Sequence, residues 1–137
     1  MGSVKDLVGS AVRVWNEHNR EGWTANFTET TELRAPGGVS GSGLGIAGQF
    51  YDIWQDGFPD CQVDPEAISE DGADGVLEAV FEGTHTGPLN TPTGTIAATG
   101  KAVAIPFVVT AKVGGGKFTS FRLYFDQAEL MTQLGVV

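Results

Sequence analysis

Few residues in this chain can do polar chemistry, and their spacing is informative. Only two histidines occur among 137 residues. His85 stands in FEGTHTGPLNTPTG, where a hydrophobic run stops among glycines and threonines, and His18 falls on the apolar side of an N-terminal stretch of helical spacing. In FTSFRLYFD, strand alternation sets Phe118, Ser120, Arg122, Tyr124 and Asp126 on one face and Thr119, Phe121, Leu123 and Phe125 on the other. A row mixing aromatics, a cation and a carboxylate is suited to line a ligand cavity in which a proton is moved. Each residue also has a plainer use. Asp126 directly precedes QAELMTQLG and can cap a helix, and His85 can hydrogen-bond a strand end. His18 can sit on a helix face, and Arg122 can be solvated or paired on a sheet surface.

The bulk properties narrow the chemistry. A formal net charge of −9 with only eight scattered basic residues argues against nucleic acid and anionic membranes as partners. Cys61 is the single cysteine, which excludes an internal disulfide and a thiolate cluster. No metal-ligand spacing joins the two histidines, so no metal is expected. The glycines of Gly43-x-Gly45-x-x-Gly48 match a dinucleotide fingerprint as letters only. They follow a loop, and no parallel crossover follows them. No apolar run is long enough to span a bilayer, and MGSVKDLVGSAVRVW carries acid and base too early for a secretory signal. The expectation is a cytoplasmic protein of one domain over residues 1–137.

The elements that must position these residues follow from periodicity. Val4, Leu7, Val8, Ala11, Val14 and Trp15 recur at helical spacing, with Ser3 as N-cap and Gly22 as stop. GWTANFTE allows a short second helix, TTELRAP reads as a strand, and GGVSGSGLG as a flexible connection. Ile46 to Trp54 is helical again and is closed by Pro59. CQVDPEAISE is an edge strand interrupted by Pro65. GVLEAVFEGTHTG, GKAVAIPFVVTAKV and KFTSFRLYFDQ are longer strands, the last two joined by a turn at Gly114 to Gly116. AELMTQLGVV ends the chain as a short helix or turn. Helices first and strands later predict an α+β fold, with helices on one face of a curved, mostly antiparallel sheet.

The order of GFPDCQV, FEGTHTGPL, PTGTIAATGKAV and GGGKFTSFRLYFDQAELMTQLG resembles the SnoaL-like polyketide cyclases of the nuclear-transport-factor-2-like superfamily. The resemblance covers Ile46 to Gly135 and, more loosely, the first helix. It implies a cone-shaped α+β barrel around an apolar pocket and a cofactor-free enzyme that closes a ring by intramolecular aldol chemistry. It also implies that Asp126 matches the acid–base aspartate and His85 the histidine of GTHTG. The cyclases carry a histidine on the strand before the aspartate. AVAIPFVVTAKV has none, so either His85 from the neighbouring strand substitutes for it or the chemistry differs.

On this reading Asp126 removes an acidic C–H proton from a small hydrophobic carbonyl substrate, aided by burial among Trp15, Trp54, Phe58, Phe107 and Tyr124. His85 or Tyr124 stabilises the oxyanion, while His18 and Arg122 complete the substrate pocket. Two alternatives stay open. Epoxide hydrolases of the same fold use an Arg-x-Asp pair, which is absent from this sequence. A non-catalytic binding module would place Asp126 and His85 on separate surfaces. The row Phe121, Leu123 and Phe125, taken as the sheet's outer face, predicts a homodimer or higher homo-oligomer.

Overall fold

The computed structural model describes residues 3–136. Ser3 starts the first helix. Its hydroxyl accepts from the Asp6 N–H at 3.1 Å, and its own N–H donates to Asp6 Oδ2 at 3.2 Å. Helix α1 (Val4–Asn16) then buries Val4, Val8, Ala11, Val14 and Trp15 along one side. It ends at His18, whose φ of 58° lies in the left-handed region. The His18 N–H reaches the Trp15 carbonyl and the Asn19 N–H the Val14 carbonyl, both at 3.0 Å. That pair of bonds closes a helix behind a left-handed residue. His18 is therefore exposed at a helix end, not on its apolar face. Gly22 is not the stop; it lies inside α2 (Arg20–Thr24).

Strand β1 (Glu32–Ala35) pairs antiparallel with β2 (Val39–Ser42), so GGVSGSGLG is partly a strand and not a flexible connection. Helix α3 (Leu44–Gly57) follows and ends before Pro59. Strands β3 (Gln62–Asp71) and β4 (Asp74–Thr84) form a long antiparallel ladder, with a bulge where Pro65 interrupts the register. A small hairpin, β5 (Leu89–Thr91) and β6 (Gly94–Ile96), was hidden in the Thr/Pro/Gly-rich run after His85. Strands β7 (Ala102–Gly114) and β8 (Lys117–Phe125) complete the sheet, and α4 (Gln127–Leu134) closes the described chain.

The six strands run in the order β2-β1-β8-β7-β4-β3, with β1 parallel to β8 and the other neighbours antiparallel. The expected α+β architecture holds, with helices on one side of a curved sheet. One irregularity governs the site. Lys112 pairs with Ser120 while Val113 pairs with Phe118, so Thr119 is an extra residue in β8. Because side chains alternate, one extra residue swaps the faces. Phe118 before the bulge and Phe121, Leu123 and Phe125 after it all turn toward the helices. The predicted row of Phe118 through Asp126 does not exist as one face.

Candidate functional site

Helices and sheet leave a cavity of about 90 Å³ between them. Helix α1 contributes Val8, Ala11, Val12 and Trp15, α2 contributes Trp23, and α3 contributes Phe50 and Trp54. The sheet supplies its inward side chains from Val63 on β3 to Phe121, Leu123 and Phe125 on β8, and α4 adds Leu130. Aromatic edges lock the wall. Trp15 meets Trp23 at 5.4 Å, Trp23 stacks on Phe50 at 5.6 Å, and Trp54 meets Phe125 and Phe81, each at 5.5 Å. No aspartate, glutamate, histidine or tyrosine lines it. The only polar atoms on its lining side chains are indole nitrogens. Trp15 Nε1–H is buried with no nitrogen or oxygen acceptor among the described residues, and the Cys61 thiol beside it is its weak acceptor. The buried Cys61 thiol lies close to that indole; burial pushes its pKa up to about 12, and the indole opposes this only in part.

The sequence-predicted residues divide. Trp15, Trp54 and Phe107 line the cavity as expected. Phe58 is fully buried behind it, tilted over His85 at 5.2 Å. Arg122 and Tyr124 are on the opposite, outer face, because a sheet covered by helices on one side must turn its apolar row inward. His18 is exposed, 3.4 Å from the Gln62 side-chain nitrogen. Asp126 is exposed and caps α4, its Oδ1 accepting from Ala128 N–H at 3.0 Å and Glu129 N–H at 3.2 Å. The plainer alternative for Asp126 is thus its observed geometry.

Asp126 and His85 are not brought together. Asp126 follows Phe125, which pairs with Phe107 near the middle of β7, whereas the His85 N–H bonds the Lys101 carbonyl just before β7, on its other edge. Sequence reasoning missed Trp23, Phe50, Phe81 and the β8 row Phe121, Leu123 and Phe125 as cavity residues. The signal was present in β8, whose one wholly apolar row is the face that has to be buried.

His85 instead fastens the excursion carrying the β5–β6 hairpin. It is fully buried, and Nδ1 accepts from the Thr99 N–H at 3.2 Å with the Thr99 hydroxyl at 3.0 Å. An accepting Nδ1 carries no proton, which assigns the ring proton to Nε2. Nε2 makes no well-formed hydrogen bond among the described residues; the Ile96 carbonyl is a weak acceptor for the ring, and its pull is smaller than the effect of burial. The loop also threads past α3, where a Cβ on Gly87 would collide with the Asp56 carbonyl oxygen. Asp60 grips the end of β4 from the same side, accepting from Thr84 N–H at 2.7 Å and its hydroxyl at 2.9 Å, which lowers the Asp60 pKa.

Burial lowers the His85 pKa from its usual value. The fold therefore favours neutral imidazole, and its contribution to stability is complete above the unfolded pKa of about 6.5. As pH falls from there toward the lowered folded value, the unfolded chain binds the proton first and stability declines. Denaturant melts between pH 7.5 and 4.5 are expected to show this loss in the wild type. They are expected to show less of it in His85→Asn, which keeps an acceptor for Thr99 but does not titrate. Parallel pH profiles for the two proteins would remove His85 from the explanation.

The SnoaL-like polyketide cyclase model matches residues 5–134. The chain belongs to that family. No curated protein matches this SnoaL-like chain. Among solved structures, a candidate SnoaL-like polyketide cyclase from Jannaschia sp. CCS1 superposes with a TM-score of 0.81 at 21% identity, covering 100% of this chain and 98% of that one. A candidate polyketide cyclase from Xanthomonas campestris pv. campestris gives 0.82 at 20% identity, covering 95% of each chain. A protein of ketosteroid isomerase-like fold from Catenulispora acidiphila DSM 44928 gives 0.80 at 16% identity, covering 98% and 96%. At such identities these likenesses establish the shared fold. Among the described residues, no helix is long and apolar enough to cross a membrane.

Proposed function

We propose that this SnoaL-like chain takes up a compact, largely apolar molecule in the cone between its helices and sheet. The observation that carries this reading is a cavity walled by apolar and aromatic side chains with no ionisable group. Size restricts the ligand. About 90 Å³ is less than the roughly 150 Å³ of an engineered cavity that admits benzene, so even a single ring requires the wall to yield.

All three tryptophans line the cavity, so indole fluorescence reports occupancy. Cyclohexanone and toluene are both expected to perturb it saturably, and Ala11→Leu, which fills the space, is expected to abolish the response. An unsaturable response, or one surviving Ala11→Leu, would discard the cavity as a binding site.

A second reading adds catalysis of the cyclase or isomerase type that the family supports. One observation favours it. Asp126 stands between Phe125 and Leu130, both on the cavity wall, and Oδ1 takes both helix N–H bonds while Oδ2 has no hydrogen bond among the described residues. In this reading Asp126, held by its cap, is the base at the cavity rim, and His85 has no part in the proton transfer.

A further inference from the structure

The outer face of the sheet holds a second polar arrangement, separate from the cavity. Arg34 on β1 and Arg122 on β8 are register partners in the parallel pair, so two guanidinium groups start from directly opposed backbone positions. Like charges opposed across a ladder destabilise it. The chain has seventeen acidic residues against eight basic ones, yet neither arginine has a carboxylate within ion-pair distance among the described residues. Glu32, two positions before Arg34 on the same strand, forms no such pair. Both arginines instead turn to the Tyr124 hydroxyl, which accepts from Arg34 Nη2 at 3.0 Å and is drawn on more weakly by Arg122. Tyr124 is 45% exposed, Arg34 is exposed and Arg122 is half-buried.

We infer that Arg34, Arg122 and Tyr124 form an oxyanion site on the outer sheet face that takes a phosphate group. The phenolic oxygen already accepts from Arg34, so its own O–H remains to be donated. The two guanidinium groups offer further N–H donors in the planar arrangement that phosphate oxygens match. A bound dianion would also offset the repulsion between the arginines. The site uses no residue of the cavity wall, so it stands whether or not the cavity binds a ligand.

Tyr124 supplies the readout. Hydrogen bonding from Arg34, followed by its charge and by the hydrogen bond and charge of Arg122, lowers its ionisation below the usual phenol range. The only other tyrosine, Tyr51, is buried and shifted upward, mainly by burial, so the two titrate apart in the ultraviolet. Inorganic phosphate is expected to raise the Tyr124 midpoint saturably, because the bound anion cancels the arginine field; chloride at matched ionic strength is not. Arg34→Gln and Arg122→Gln are each expected to weaken phosphate about tenfold or more. In Tyr124→Phe the remaining Tyr51 titration should not respond to phosphate. Acetate at matched ionic strength tests for a carboxylate in place of phosphate. A response to acetate or chloride equal to that for phosphate, or an unchanged response in either arginine variant, overturns the proposal. So does a dimer that dissociates in the arginine variants and ignores phosphate, which would assign both side chains to a second copy of the chain.

Discussion

Leu123→Glu is expected to leave no folded chain. Leu123 is 8% exposed on the cavity wall, two residues from both Phe121 and Phe125, with no cation facing it. A carboxylate there must be buried unpaired or protonated, and either course costs several kcal/mol. Typical domains have only about 5–15 kcal/mol in total. Far-UV circular dichroism with a urea melt is the check, and Leu123→Met, which conserves volume, should lose less than about 1.5 kcal/mol. Had this row formed an intersubunit face, the same glutamate would dissociate an assembly and leave the fold intact. A cooperative melt of Leu123→Glu within a few degrees of wild type would overturn the inward placement.

Asp126→Asn is expected to separate two roles that the geometry superimposes. Asparagine caps helices about as well as aspartate, so stability should change by only a few tenths of a kcal/mol, whereas Asp126→Ala should cost about 1 kcal/mol. Base catalysis answers differently, because the amide keeps the shape and loses the basic oxygen. Proton exchange from the activated carbon of ethyl acetoacetate in deuterated buffer, followed by NMR, measures that function without knowledge of the natural substrate. If Asp126 is the base, wild type accelerates exchange and Asp126→Asn loses about a hundred- to ten-thousand-fold of the acceleration while melting normally. Exchange at the buffer rate, or retained within about threefold by Asn, assigns Asp126 to the cap alone.

The contrast between these two residues indicates what a sequence reveals. Helical spacing from Val4 to Trp15 placed α1 and its apolar side correctly, since that period depends on local geometry alone. The three long strands β4, β7 and β8 were equally legible, and so was Asp126 as a possible cap. What failed depended on one residue. Alternation counted through Thr119 put Phe118 with Arg122, and no local signal announced that Thr119 would bulge from the ladder. The short strand β2 was equally hidden, because Val39–Ser42 takes its conformation from pairing with β1 and not from its own glycine- and serine-rich sequence. His18 misled for a related reason. Its period fits the helix, but it occupies the left-handed position that terminates it. The pairing of His85 with Asp126 was a tertiary inference, and β7 lies between them.

The apolar cone also sets how this chain responds to compression. Were all of its roughly 90 Å³ eliminated on unfolding, the volume decrease would be on the order of 50 mL/mol, within the range typical of folded domains. Each kilobar of hydrostatic pressure would then remove roughly 1 kcal/mol of stability through that void alone. The wall that bounds it is stiffened by tryptophans packed edge-on and face-on against other aromatic rings, which resist compression. A guest molecule in the cone would replace empty volume with matter. Pressure tolerance would then rise in proportion to how well the guest fits, whether or not the protein ever transforms it.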